Sequence, residues 1–352
     1  MDLEFSEDQR LLQSAVRSFL EGECPVEDVR ARWETGTGRS PELWRKLAEV
    51  GVPGLRVPEQ HGGLGLDEID LVLVLEECGR AALAEPVIAT AAVGAPLLAE
   101  LGGELAAAWL PRVAAGEAIL AVGSAVTPFV ADAHVADLLL LPREDALHAL
   151  PRDRVELTAQ PSNDPSQRLF SVQWTAAPEG AVARGERARS LAAAALDRGA
   201  FACAAEQLGV ADRLVEMAAT YAGQRVQFGV PIGSFQAVKH MLADCKVQLE
   251  YARSLVHRAA WSVARGAPGR SADVSMAKVL ASDAALRCAR TALQVHGAIG
   301  YTWEQDLHVW MRRAWSLDLA WGENAWHRAR VADAVIDGAP PAESFGYSPP
   351  GA

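Results

Sequence analysis

Apolar residues recur at helical spacing from the start of the chain. Leu11, Leu12, Val16, Phe19 and Leu20 place a stripe along Glu7 to Phe19, and Ser6 stands where a cap would accept from the first free amides. Ser40-Pro41-Glu42 reads as a cap, a proline at the first helical position and an acidic first turn, leading into Leu43, Trp44 and Leu47. Gly51 to Gly65 reads as loop, Asp67 to Cys78 as a strongly apolar helix, and Pro86 to Ala115 as two helical pieces parted by Gly102-Gly103. Near Gly116 the period shortens. Ile119 to Val122, Asp137 to Leu141, Val155 to Leu157 and Leu169 to Trp174 are short apolar runs between turn residues, which suits strands of a small antiparallel sheet. Ala159 to Gln167, with Pro161, Pro165 and Asn163-Asp164, reads as a loop, and helical spacing resumes from Ala188 to Gly338. The pattern therefore predicts an α+β chain in three parts: a helical domain over 1–117, a reduced β domain over 118–186 and a second helical domain over 187–338. A Pro- and Gly-rich tail over 339–352 is expected to be flexible.

The second helical region is broken at one informative place. Ala200 to Ala222 is apolar and free of proline, Gly229-Val230-Pro231 must interrupt it, and a new helix starts near Ser234. The corner carries Arg225, Phe228 and Gln236. A guanidinium held beside such a turn can meet a phosphate with a rigid fork of donors. Composition narrows the ligand classes. The formal net charge is -12 with scattered acidic residues, which argues against nucleic acid but not against an anionic cofactor in a locally basic pocket. Cys24, Cys78, Cys203, Cys245 and Cys288 show no Cys-x-x-Cys pair and read as small buried hydrophobes in a reducing compartment. No run of eighteen apolar residues and no secretory leader is evident, so a cytoplasmic protein without a transmembrane segment is expected. No carboxylate or thiol cluster has metal-ligand spacing, so no metal is expected.

Three segments in order carry a family resemblance. Arg225-Val226-Gln227-Phe228-Gly229-Val230-Pro231-Ile232-Gly233-Ser234-Phe235-Gln236 resembles the Arg-x-x-Phe-Gly-x-x-Ile-x-x-Phe-Gln signature of the acyl-CoA dehydrogenases. Gln294-Val295-His296-Gly297-Ala298-Ile299-Gly300 is similar to the family's Gln-x-x-Gly-Gly-x-Gly, with Ala298 in place of the second glycine. Val57-Pro58-Glu59-Gln60-His61-Gly62-Gly63-Leu64-Gly65 and Glu76-Glu77-Cys78-Gly79 form the third match. The resemblance implies the helical, β, helical fold, FAD as cofactor and α,β-desaturation of an acyl-CoA thioester, with electrons passed to an electron-transfer flavoprotein. It assigns Arg225, Phe228, Gln236, Gln294, His296 and Gly297 to the flavin nucleotide, often one bound mainly by an adjacent subunit. For Arg225 a surface ion pair, and for His296 a packed core histidine, remain the plain structural alternatives.

The same resemblance exposes two losses. The family's usual catalytic glutamate aligns with Trp321, and its alternative position, on the preceding helix, with Gly199. Neither can take a proton. Asp197, Glu206, Asp318 and Glu323 are nearby carboxylates, of which only Glu323 is close in register. The β-domain segment Thr-Glu-Pro-x-x-Gly-Ser-Asp is reduced here to Ala121-Val122-Gly123-Ser124-Ala125-Val126. Gly300-Tyr301-Thr302-Trp303-Glu304-Gln305-Asp306-Leu307-His308 resembles a segment common in the base-lacking subunits of heteromeric (α2β2) sterol-type enzymes. The resemblance thus implies a subunit that binds flavin and provides scaffold while a homologous partner supplies the base. A homomeric enzyme using Glu323, and a non-catalytic structural or regulatory homologue, stay open. Trp303, Trp310, Trp315, Trp321 and Trp326 crowd the last helices and are expected, as a group, to mark a subunit contact.

Overall fold

The computed structural model describes residues 4–175 and 180–338; the tail over 339–352 lies outside the described residues. Six helices open the chain: α1 (Glu7–Glu23), α2 (Val26–Trp33), α3 (Pro41–Glu49), α4 (Glu68–Arg80), α5 (Ala95–Leu101) and α6 (Gly103–Ala114). Local chemistry sets their starts. Ser6 and Gln9 form a reciprocal capping box on α1, Ser40 accepts from Leu43 N ahead of Pro41, and Asp67 with Asp70 repeats the box on α4. A π-helical turn over Ile88–Gly94 precedes α5.

The middle of the chain holds β1 (Leu120–Val122), β2 (Val130–Ala131), β3 (Leu138–Arg143), β4 (Ala146–Pro151), β5 (Glu156–Gln160), β6 (Leu169–Gln173) and β7 (Ala181–Arg184). They form two sheets, ordered β1-β3-β4-β7 and β2-β6-β5. Every pairing is antiparallel except β1 with β3, which run parallel with Leu120 opposite Leu138. Leu139, Leu141 and Leu150 build a small core of their own there.

α7 (Gly185–Gln224) follows and is the spine of the molecule. The hairpin β8 (Val226–Gln227) and β9 (Val230–Pro231) separates it from α8 (Gln236–Ala264), and α9 (Arg270–His296), α10 (Leu307–Leu319) and α11 (Asn324–Ala332) complete the chain. Phe228 and Gly229 at the hairpin tip both have positive φ, 53° and 81°. Two such residues in a two-residue loop make a type I′ turn, whose twist matches the strands it joins. α4 crosses α7 with backbones in contact. A Cβ on Gly79 would overlap Glu206 O, and one on Gly209 would overlap Glu76 O. Only glycine at both positions allows that approach. Polar residues are placed to match: Glu76 accepts from Arg253 and His257 of α8, and Glu77 from Arg17 of α1 at 2.7 and 2.8 Å. All five cysteines are buried and unpaired in disulfides, as small hydrophobes.

Candidate functional site

A cavity of about 510 Å³ opens where the segment after α4, the β region, α7 and α10 meet. Its walls are mostly apolar, with Ile88, Val122, Leu169 and Trp315 among them, but Arg39, Glu85, Asp132, Glu206 and Arg313 also line it. The charges are arranged in pairs. Arg39 donates to Asp132. Arg313 donates to Asp164 at 2.6 Å and to Leu83 O at 2.7 Å, and lies 3.9 Å from Glu206. Glu85 accepts from Ser40 N at 2.9 Å through Oε1, while its Oε2 is buried without a partner. Burial pushes both Glu85 and Glu206 up to about 7, against the pull of the neighbouring guanidiniums. A carboxyl poised there can hold or release a proton near neutral pH.

The two positions that the sequence resemblance assigns to the family's base, Gly199 and Trp321, meet in space. The indole of Trp321 lies against Gly199 of α7, so that a Cβ at Gly199 would overlap the ring. Trp321 adopts φ +57°, in the left-handed region, and Gly322 follows at +103°. Buried polar groups hold this turn. His327 Nε2 donates to Trp321 O at 3.1 Å, and its Nδ1 faces Ser275 Oγ at 3.0 Å. The fully buried Lys278 donates from Nζ to Leu317 O at 2.8 Å and Asp318 O at 2.9 Å, closing the end of α10. Trp321 is thus a fixed part of the cavity wall.

Glu323, the carboxylate nearest in register, is an exposed residue preceding α11 and does not line the cavity. Asp197 is buried but committed to Arg270 at 3.3 Å, Arg330 at 2.8 Å and Ser271 at 2.8 Å. Three carboxylates reach the cavity, Glu85, Asp132 and Glu206, and of these Asp132 is committed to Arg39. Glu206 was within reach of sequence reasoning, since it follows Gly199 by about two turns on one helix face. Glu85 carried no such signal: it lies outside helix and strand, and only the tertiary fold brings it to the wall.

The flavin candidates sit elsewhere, and none of them lines this cavity. Arg225 ends α7, exposed and without an ion pair among the described residues. Phe228 is 93% exposed at the hairpin tip, and Gln236 opens α8 on the surface. Gln294 is exposed on the last turn of α9, and Gly297 caps it with φ +63°. His296 is buried, with Nδ1 2.7 Å from Ala292 O and its ring stacked on Tyr221 at 4.4 Å. That stacking joins the two clusters, because Tyr221 O also receives the Arg225 amide at 2.8 Å. The tryptophans divide: Trp310 is buried and donates to Arg80 O, Trp315 and Trp321 line the cavity, and Trp303 is 60% exposed.

Comparison with known proteins fits this architecture. Residues 6–117 match the acyl-CoA dehydrogenase N-terminal domain, and residues 189–336 the acyl-CoA dehydrogenase C-terminal domain. Acyl-CoA dehydrogenase IpdE2 of Mycolicibacterium smegmatis is 35% identical over 88% of this chain and 93% of its own length. The protein of that name from Mycobacterium tuberculosis is 33% identical over 88% and 91%. Among solved structures, the ChsE4-ChsE5 complex from Mycobacterium tuberculosis superposes with a TM-score of 0.86 at 27% identity, covering 96% of this chain and 100% of that one. The Tcur3481-Tcur3483 steroid ACAD G363A variant gives 0.85 at 26% identity, covering 94% and 98%. With both domain models matched and a relative of this identity along nearly its whole length, the chain belongs to the acyl-CoA dehydrogenase family.

Proposed function

We propose that this chain is the base-lacking subunit of a heteromeric, FAD-dependent acyl-CoA dehydrogenase acting on a thioester, one of steroid origin in our reading, in the cytoplasm. The observation that carries the proposal is the packing of Trp321 on Gly199, which fills both family base positions with one indole. Desaturation needs a carboxylate in contact with the α-proton and a way to spread the developing enolate charge. A partner chain supplies that carboxylate. The heteromeric reading is supported by the likeness to the ChsE4-ChsE5 complex, and the steroid reading by the likeness to the Tcur3481-Tcur3483 steroid ACAD.

FAD is the family's cofactor, and when bound it accepts the β-hydride. The residues present fit its nucleotide half. Arg225 offers an unpaired guanidinium fork, Gln236 and Gln294 are exposed amides, and Phe228 projects an aromatic face from the hairpin. These groups face outward rather than into the chain's own cavity, which suits a nucleotide shared with an adjacent subunit. The work of this chain is then to bind the diphosphate and to position the partner. Glu323 offers no competing base, because it is solvent-exposed and away from the cavity. Glu206 and Glu85 are the in-chain rivals that geometry favours, both being cavity-lining and raised to about 7.

Purifying the chain alone and together with a homologous subunit encoded beside it, then measuring bound flavin and its bleaching by acyl-CoA thioesters, tests the proposal. Flavin reduction is expected only in the assembled complex. Full reduction by the isolated chain, abolished by E206Q or E85Q, would place the base in this polypeptide and overturn the assignment. Electrons then pass to an electron-transfer flavoprotein or a similar acceptor in this reading.

A further inference from the structure

The candidate nucleotide contacts sit on the ends of two helices, Arg225 on α7 and Gln294 with Gly297 on α9. Helix ends fray, because their last carbonyls have no partner within the helix. Past Ala222 the end of α7 is exposed at Gly223, Gln224 and Arg225. A guanidinium on a fraying turn holds its fork in no fixed place, and a bidentate contact to phosphate depends on that placement.

One side-chain contact removes this freedom. Tyr221, one turn before Arg225, stacks its ring on the imidazole of His296, with centroids 4.4 Å apart and planes 19° from parallel. His296 is itself fixed, being 5% exposed and donating from Nδ1 to Ala292 O at 2.7 Å, one turn earlier on α9. Tyr221 O accepts the Arg225 amide at 2.8 Å, and Arg225 O accepts from Ile232 N at 2.8 Å. A chain of contacts therefore runs from the buried end of α9, through two stacked rings, to the backbone of Arg225. The imidazole has little left to offer a nucleotide. One nitrogen is spent on Ala292 O, one face on Tyr221, and almost none of the residue is exposed.

We infer that Tyr221 and His296 are a positioning pair, which holds the end of α7 so that Arg225 presents its guanidinium to the flavin diphosphate, and that His296 is not itself a ligand of the nucleotide. The inference rests on the reading that Arg225 binds that diphosphate.

Flavin retention by the assembled complex, measured by equilibrium dialysis in a double-mutant cycle, separates positioning from general support of the fold. Y221A is expected to weaken retention about three- to tenfold in the otherwise native complex, the range of one aromatic pair. In the R225A background the same substitution should change retention by less than about twofold, because the group it positions is gone. Y221F keeps the ring and should restore native retention. H296A should match Y221A, and the two together should be no weaker than either alone, since each breaks the same contact. Should H296A fail to fold, the cycle at the half-buried Tyr221 decides by itself. An equal loss from Y221A with and without Arg225 would make the stack a plain support of the fold and overturn the inference. So would full retention in Y221A, or a loss in Y221F as large as that in Y221A. Those results leave the diphosphate reading standing as long as R225A alone loses flavin; undiminished retention in R225A would remove that reading and the positioning pair with it.

Discussion

Burial favours the neutral form of both Glu85 and His327, and because one is an acid and the other a base their titrations should pull stability in opposite directions. Burial raises Glu85 from 4.5 to about 7, so the folded protein holds that proton more tightly than the unfolded chain does. Its contribution is fully present below about 4.5 and is lost as pH rises toward 7. His327 is lowered from 6.5 to about 4, first by burial and then by Lys278, so its contribution is present above 6.5 and is lost as pH falls. E85Q keeps an oxygen for the Ser40 amide and removes the buried ionisation. Chemical denaturation at pH 4.5 and pH 7.5 should therefore show the variant gaining on the wild type by up to about 3 kcal/mol at the higher pH. A difference that does not change with pH, or one that grows toward acid, would mean that Glu85 titrates as a solvated carboxylate.

At the level of elements, the crossing of α4 and α7 is the most constrained contact in the molecule. Gly79 and Gly209 face the backbone of the opposite helix, and Gly209 also lies close to Arg80 N at 2.7 Å from an added Cβ. At a free helical position, alanine would improve on glycine by about 1 kcal/mol. Here G209A must separate the helices, and a loss of about 1–3 kcal/mol is expected from urea melts. A neutral or stabilising G209A would show that the helices can part at no cost. The helices themselves were legible because caps and apolar stripes are local: Ser6, Ser40 and Asp67 each mark a start within a residue or two. The sheets were only half legible. β4, with His148 buried in it, and the short β2 and β7 are held by their neighbours, and runs so brief show no period of their own. The parallel pairing of β1 and β3 depends on how the intervening segment crosses over, which no local pattern encodes. The site divides in the same way. The residues that the resemblance sets at the two base positions, Trp321 and Gly199, could be read from the sequence, but their packing on one another, and the arrival of Glu85 at the cavity, are products of tertiary structure.

For the molecule as a whole, the surface around Arg225 is unfinished. Phe228 is 93% exposed, Val226 52%, and Val230 and Phe235 are also large apolar residues left in water. On α8 the outward positions Val247 and Tyr251 are exposed as well, at 54% and 71%. Apolar exposure of this kind beside a guanidinium without an ion pair among the described residues fits the proposed contact with another chain, whose centre would hold arginine and aromatic residues. Arg225 contributes nothing to the isolated fold beyond its backbone, whose carbonyl accepts from Ile232 N at 2.8 Å. R225A should accordingly leave the thermal melt of the isolated chain unchanged while weakening flavin retention by the assembled complex about tenfold to a hundredfold, the range of a lost charge-assisted contact to phosphate. R225K should recover only part of that, since an ammonium cannot present the planar fork. Equilibrium dialysis with flavin fluorescence reads both variants. Undiminished flavin binding by R225A in the complex would take the diphosphate away from this corner and, with it, the reason for so much exposed apolar surface beside it.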